Sequence, residues 1–274
     1  MNNIKDLAEG YFEENASRYT EEYYLQQKTH PKWVRQKYIL KLVEEFSHSN
    51  KDKILDVGCG PGFLSIDLAK SGHTVVGVDT SEKMISISKK QDFNSGVTGC
   101  DFYIGDAEKT NFKDASFDCV VASGVIEYMN KDDIMLKEMN RILKPNGHLI
   151  LNVSNVMGYS NALNFFTDNL KKIPGIMNVA SKLRKNIMQS KYGADQLHFS
   201  PRKHFIPKFR KTLLRHGFIP KAANYLSFTF LPAPFSTITY RFLHKVESKL
   251  DFLNKTPFRV FGATYVVCAQ KIDE

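Results

Sequence analysis

Apolar residues recur along this chain at two spacings that alternate. Over residues 4–47 they fall at three- and four-residue steps, as at Trp33, Tyr38, Ile39, Leu42, Val43 and Phe46. That spacing lines one face of a helix. The polar group Ser47–Asp52 ends it. Short apolar runs, predicted as strands, then alternate with helical segments. Lys53–Val57, Thr74–Val78, Asp101–Ile104, Phe117–Ala122 and His148–Val153 are the strands. Residues 62–71, Ser81–Gln91 (with Ser81 as N-cap) and Lys131–Leu143 are the helices between them. Lys144-Pro-Asn-Gly147 reads as a turn that stops the last of these. Strands that alternate with helices imply right-handed crossovers and a parallel sheet.

The alternation lapses over 154–200, which carry mixed signals. Pro201–His216 reads as a basic amphipathic helix stopped at Gly217, and Phe218–Tyr225 and Phe261–Gln270 as two more strands. The connection between those strands, about 35 residues, is far longer than a hairpin needs. Such excess fits a lid or a surface-binding element.

Chemistry enters at Ile54-Leu-Asp-Val-Gly-Cys-Gly-Pro-Gly-Phe63, where a strand feeds a glycine turn that opens a helix. Gly58, Gly60 and Gly62 permit a tight turn and close approach of a ligand, and the helix start offers free N–H groups. A carboxylate or a phosphate would suit that turn equally. Two features separate them. The sixth position counted from Gly58 is Phe63, where a dinucleotide binder needs a small residue for close helix–strand packing. Asp56, just before the glycines, would repel a pyrophosphate but accept a hydrogen bond from an ammonium group. The ligand implied carries an amine and a carboxylate, as the methionine part of S-adenosylmethionine does. Asp79, 17 residues after Gly62, is placed to take two ribose hydroxyls. Asp106, after the third strand, could accept from an adenine amine, with Ala107 offering its backbone.

In order along the chain stand LDVGCGPG (55–62), VVGVDTSEKMI (75–85), GDAE (105–108), FDCVVASGVIEYM (117–129) and LKPNGHLIL (143–151). Over roughly residues 50–155 the chain thereby resembles the class I S-adenosylmethionine-dependent methyltransferases of the small-molecule type. The resemblance implies an α/β fold: a Rossmann-like, doubly wound, seven-stranded sheet with an antiparallel last strand. It implies S-adenosyl-L-methionine as methyl donor, S-adenosyl-L-homocysteine as product, and no metal. Asp56 and Gly58 would then face the methionine end, with Gly60 and Gly62 shaping the turn. Asp79 would hold the ribose, with Thr80 and Met84 flanking ribose and adenine. Asp106 and Ala107 would hold adenine, and Ser123 would lie near the methionine moiety. Met84 serves as readily as plain helix core. The family often has His where this chain has Tyr128, a departure that removes one candidate base and leaves Tyr128 to act on the acceptor or to pack on the donor.

The expected organisation is one domain over 1–274: a helical cap over 1–50, a donor-binding core over 51–155, and acceptor-site insertions over 156–200 and 226–260. An oxygen acceptor would need a general base, usually His. His198 is the foremost candidate, in Gln196-Leu-His-Phe-Ser200, and a solvent-facing loop histidine is the plainer reading of it. His204 is a weaker candidate; His73 and His148, at strand edges, are expected to be structural.

Composition narrows the acceptor. Lys and Arg number 19 and Asp and Glu 23 in residues 1–150, against 19 and 6 in residues 151–274, so the halves carry −4 and +13 of the net +9. A basic half can face nucleic acid or a membrane, or can be plain solvated surface. Residues 226–243 are strongly aromatic, a hydrophobic lid or a membrane-contacting patch, and Pro232 and Pro234 argue against a spanning helix. No uninterrupted run of about 20 apolar residues occurs. The polar start lacks a signal-peptide pattern, and the four cysteines lack metal or redox spacing, so a cytoplasmic protein with reduced thiols is expected. These features favour a small amphiphilic or apolar acceptor, such as a quinone precursor, a lipid-linked sugar or a secondary metabolite. Two alternatives stand beside it: an RNA or protein methyltransferase using the basic half, and a non-catalytic binder of S-adenosylmethionine. No RNA-binding module is recognisable, Ser123-Gly-Val-Ile replaces the Pro-Pro-Tyr type of motif after the fourth strand, and the acids at 56, 79 and 106 are intact.

Overall fold

The computed structural model describes residues 3–21, 31–47, 49, 51–158, 199–227 and 255–273. In chain order the elements are α1 (Ile4–Thr20), α2 (Pro31–Phe46), β1 (Lys53–Val57), α3 (Phe63–Lys70), β2 (Thr74–Asp79), α4 (Glu82–Ser95), β3 (Cys100–Ile104), β4 (Phe117–Ala122), α5 (Asp132–Ile142), β5 (Leu143–Ser154), α6 (Ile206–Arg215), β6 (Phe218–Leu226) and β7 (Thr264–Lys271). Two short 3-10 turns cover Ile126–Tyr128 and Pro257–Phe261.

One seven-stranded sheet runs β3-β2-β1-β4-β5-β7-β6. Strands β1 to β5 pair in parallel, and β7 runs antiparallel between β5 and β6. Alternation along each strand splits the core. Ile54, Cys119, Val121 and Ile150 face α2 and α3, where Ile39, Leu42 and Leu68 meet them. Leu55, Val120, Leu149 and Leu151 face the opposite side, against Met135, Leu136 and Met139 of α5 and Phe209 and Leu213 of α6. Apolar area buried on both faces explains why these strands read as near-continuous hydrophobic runs. Strand order reverses between β1 and β4, and the crevice beyond their carboxyl ends is where such sheets bind ligands.

Several boundaries differ from the sequence reading, among them the end of α4, which runs on from Gln91 to Ser95. The helical stretch 4–47 is two helices, α1 and α2. The expected turn Lys144–Gly147 is carried inside β5, which starts at Leu143 opposite Phe117. The departure there is absorbed by a register shift before Cys119 and by Asn146 at φ 60°. The basic helix starts at Ile206 rather than Pro201. Residues before it run beside β5 instead, with His204 bridged to Asn155. The last strand starts at Thr264, because residues 257–261 coil into a 3-10 turn. The insertion over 159–198, with His198, and the aromatic stretch from 228 to 243 lie outside the described residues.

A third cluster, Cys59, Ile66, Ile85 and Phe102, fills the space beneath the glycine turn. Gly77 makes it possible: a Cβ there would sit 2.6 Å from Phe102 Cδ1 and 3.1 Å from Cys59 Sγ. Gly77→Val is expected to cost about 3 kcal/mol through overpacking, measured by urea unfolding. Adding Phe102→Leu should restore part of the loss, whereas purely additive losses would place the strain elsewhere.

Candidate active site

The glycine turn is built by close approach. A Cβ on Gly58 would meet Val125 Cγ2 at 2.4 Å. At Gly60 it would meet nothing within 4 Å, because Gly60 opens onto a cavity of about 350 Å³ at the carboxyl ends of β1, β2 and β4. That size is within the range of small-molecule and cofactor sites. Of the residues expected at the donor site, Gly58, Gly60, Asp79, Thr80 and Met84 line this cavity. So do Asp106, Ala107, Ser123 and Tyr128. Met84 is also almost wholly buried, so wall and helix core are here one role.

Two expected residues are not in the wall. Asp56 lies beneath the turn, 1% exposed, its carboxylate accepting from Ser65 Oγ at 2.6 Å. Burial pushes its pKa up to about 7, against the pull of the Ser65 hydroxyl and with a further push from the Asp79 carboxylate. Gly62 caps α3 with a positive φ, and a Cβ there would meet Ser88 and the Phe102 ring. It is a packing glycine of the third cluster.

Asp79 is held from two sides. Its Oδ2 accepts from Gly60 N–H and its Oδ1 from Ser81 N–H, both at 2.9 Å. Burial raises its pKa, and these two N–H groups oppose the rise. The Ser81 hydroxyl accepts from Met84 N–H, capping α4 as predicted, and donates to Glu13 at 2.7 Å. Glu13 also accepts from Lys83 N–H. The Ser81 hydroxyl and that N–H hold the Glu13 carboxyl below its usual range. A carboxylate at a helix N-terminus is stabilised by the free N–H groups there.

Helix α1 supplies what the sequence reading missed. Lys5, Glu9, Tyr11 and Phe12 line the cavity, joined by Arg35 of α2 and Glu127 of the 126–128 turn. Lys5 Nζ donates to both Asp106 oxygens, at 2.9 and 2.7 Å, and to Glu108 at 2.6 Å. Burial opposes the Lys5 charge, but these two carboxylates raise its pKa overall. The Arg35 guanidinium lies against Gly124, and its Nε is buried with no hydrogen-bond partner among the described residues. Gly124 is itself fixed by its N–H to Asn152 Oδ1 at 2.9 Å. Glu127 accepts from Ser154 Oγ at 2.5 Å. Tyr128 stands edge-on to Phe12 (5.4 Å) and Phe199 (6.1 Å). No local pattern marks Lys5 or Arg35, since their partners lie about 100 residues away.

His204 is not at the cavity. It is buried, bonded to Asp132 at 3.1 Å and edge-on to Phe209 at 5.0 Å, and Asp132 also holds Arg202. Burial works against the Asp132 charge, yet His204 and Arg202 lower its pKa overall. This cluster pins residues 202–204 to the start of α5. His73 and His148 are buried at their strands. The four cysteines are unpaired.

Asp56 yields a sign-definite prediction. Its folded pKa exceeds its unfolded value, so the stabilisation it confers is present below about pH 4 and lost as pH rises toward 7. Melting temperatures should fall between pH 5 and pH 8 more steeply in the native chain than in Asp56→Asn. Parallel curves would show that the carboxyl is not the source of the slope.

Residues 55–151 match a family model described as a methyltransferase domain. The chain is 31% identical over 111 residues to a sterol 4-C-methyltransferase of Caenorhabditis elegans, covering 40% of this chain and 33% of that protein. It is 30% identical over 125 residues to a ubiquinone biosynthesis O-methyltransferase of Pelagibacter ubique, covering 43% and 51%. The chain thus spans about half, or less, of the curated relatives it matches. Among solved structures, the magnesium protoporphyrin IX methyltransferase of Synechocystis, with SAH bound, superposes with a TM-score of 0.63 at 18% identity, covering 98% of this chain and all of that one. Residues 55–151 thus resemble the methyltransferase domain family, and the chain shares the fold of that solved methyltransferase.

Proposed function

We propose that this protein transfers a methyl group from S-adenosylmethionine to a small, amphiphilic or apolar acceptor. The observation that carries the reading is the cavity at the strand-order reversal, where Asp79, fixed by two backbone N–H groups, and the Arg35 guanidinium both face a ligand-sized space.

The residues fit the donor group by group. Asp79 offers carboxylate oxygens to a pair of ribose hydroxyls. Arg35, with a buried Nε in want of an acceptor, suits the methionine carboxylate. Met84 and Ala107 give an apolar seat to adenine, and Asp106 can accept from its amine once Lys5 shares or yields that carboxylate. Gly58, Gly60 and Ser123 border the methionine end. Asp56, under the turn, shapes the loop and biases its field instead of touching the donor. When bound, S-adenosylmethionine supplies an activated, electrophilic methyl on a sulfonium. What remains for the chain is to orient the two reactants and exclude water. Helix α1 roofs the cavity, which serves exclusion. Tyr128, Phe12 and Phe199 make an aromatic wall against which a flat or apolar acceptor can lie.

The acceptor class rests on that wall, on the aromatic stretch 226–243, and on relatives named for sterol methylation and ubiquinone biosynthesis. For an oxygen acceptor the proton would pass to a side chain at the wall. We place Tyr128 as a packing residue there and keep His198 as the candidate base, with residues 156–200 and 226–260 completing the acceptor site. The protein acts in the cytoplasm on this reading, as one domain.

Calorimetric titration with S-adenosylmethionine and S-adenosylhomocysteine tests the reading. Micromolar binding is expected, with a loss of 100-fold or more in Asp79→Ala, since two charge-assisted hydrogen bonds of about 2 kcal/mol each vanish. Failure of the well-folded native chain to bind either compound would overturn it. Arg35→Ala should weaken S-adenosylmethionine by about 10- to 100-fold but leave decarboxylated S-adenosylmethionine unchanged. Equal losses for both compounds would move Arg35 away from the carboxylate.

A further inference from the structure

The described cations of the second half lie on α6, on β6, on β7 and on the segments that flank α6 and β7. Residues 199–227 and 255–271 carry Lys or Arg at ten positions and Asp or Glu at none. Two of the ten are spoken for: Arg202 is held by Asp132, and Lys271 donates to the Asn140 and Leu143 carbonyls. Lys208, Arg210, Lys211 and Arg215 of α6, with Lys221 of β6 and Arg259, are exposed and form no ion pair with a described residue. The acids nearest the base of α6, Asp132 and Asp133, face His204, Arg202 and His216.

Large apolar side chains are set among these cations. Phe205 and Leu214 are each 50% exposed, Phe258 63% and Phe261 40%. Phe258 and Phe261 lie 6.5 Å apart on the 257–261 turn. The 257–261 turn packs against β6, whose Tyr225 lies against Tyr265 (ring centroids 5.0 Å apart) on the side of the sheet that α6 covers.

We propose that the outer face of α6 and the Pro257–Phe261 turn dock on an anionic lipid surface. Interspersed cations and apolar side chains are what a headgroup boundary accommodates: charges meet lipid phosphates while Phe and Leu enter the acyl margin. A second copy of the chain fits less well. The pairing would oppose like charges, and the open edge β6 is guarded against strand addition by Pro220, a bulge at 220–222 and Lys221. A polynucleotide would satisfy the cations but leave Leu214 and the phenylalanines in water. The face begins beside the cavity: His204, just before α6, bridges Asn155, and the preceding Ser154 donates to Glu127 in the cavity wall. Docking there sets the cavity near the bilayer, which suits the acceptor class proposed above, though the docking itself does not depend on that reading.

Co-sedimentation of the full chain with vesicles decides it, using phosphatidylcholine alone or mixed with phosphatidylglycerol. Binding is expected only with phosphatidylglycerol, and it should weaken as salt is raised. Lys208→Glu/Lys211→Glu/Arg215→Glu should lose at least about 100-fold in vesicle affinity. A second variant, Leu214→Ser/Phe258→Ser, should bind less while keeping its charge. Donor titration of the same samples reports folding and the donor site separately, and it should not change. Indifference to phosphatidylglycerol or to charge reversal would overturn the proposal. So would capture of poly(U) RNA by protein that leaves the vesicles unbound.

Discussion

The site hangs on one carboxylate. Asp79 ends β2 and receives two backbone N–H groups, one from the turn after β1 and one from the turn before α4. Each is a charge-assisted bond of about 2 kcal/mol in a largely dry setting. Together they set the distance between two turns that belong to different strand–helix units. The next residue but one, Ser81, extends the linkage by capping α4 and reaching Glu13 on α1. Glycine turn, α4 and roof helix are thereby referred to one anchor. The N–H bonds also oppose the rise in pKa that burial imposes on Asp79, so the group that fixes the frame is also kept fit to accept hydrogen bonds from a ligand.

Most of this frame was legible because local chemistry and long-range pairing agree there. Strands β1, β2 and β4 read as apolar runs, α4 has its serine cap, and the alternation of strands with helices implies the parallel pairing. Legibility failed where burial, and not residue type, decides the role. Asp56 and Gly62 have the identity and position expected of ligand contacts, yet the strand's alternation sends Asp56 under the turn and the third cluster claims Gly62. It failed differently at Lys144–Gly147. The Pro-Asn-Gly signal is real, and Asn146 does adopt a left-handed φ, but pairing of Leu143 with Phe117 keeps the strand going through it. At His204 a histidine that could have been chemical is itself buried and consumed by Asp132.

Helix α1 was expected as part of a helical cap, but no local reading could place its contacts. Its apolar stripe is faint, and its contribution is made of single residues that meet partners far along the chain: Lys5 with Asp106 and Glu108, Glu13 with Ser81 and Lys83. Such pairs leave no periodic trace. They do reveal a division of labour. Glu13 secures the middle of α1 to a helix terminus that is itself part of the frame. Lys5, in the first turn of α1, occupies the acid that the family pattern gives to adenine. In the proposed donor pose a ligand amine at Asp106 would have to share or displace that ammonium, so binding would be felt at the first turn of α1 before its middle.

The charge lining the cavity bears on the direction of the proposed reaction. Glu9, Asp79, Asp106 and Glu127 stand around it, against Lys5 and Arg35. Lys5 is engaged by two carboxylates, and the Arg35 guanidinium would be answered by a donor carboxylate. What remains, Glu9, Asp79 and Glu127, is a wall of negative sign. In the proposed reaction such a wall would favour a sulfonium over the neutral thioether that methyl loss leaves behind, and would hold the product less firmly than the donor. The basic edge at α6 and β6 does not counter this. It lies at the far side of the sheet order from β3, beyond β5 and β7, and is screened by solvent over a distance of about 10 Å at ordinary salt. One chain can therefore carry an acid-lined cavity, fit for a cationic donor, and a cationic face, because solvent screens one field from the other.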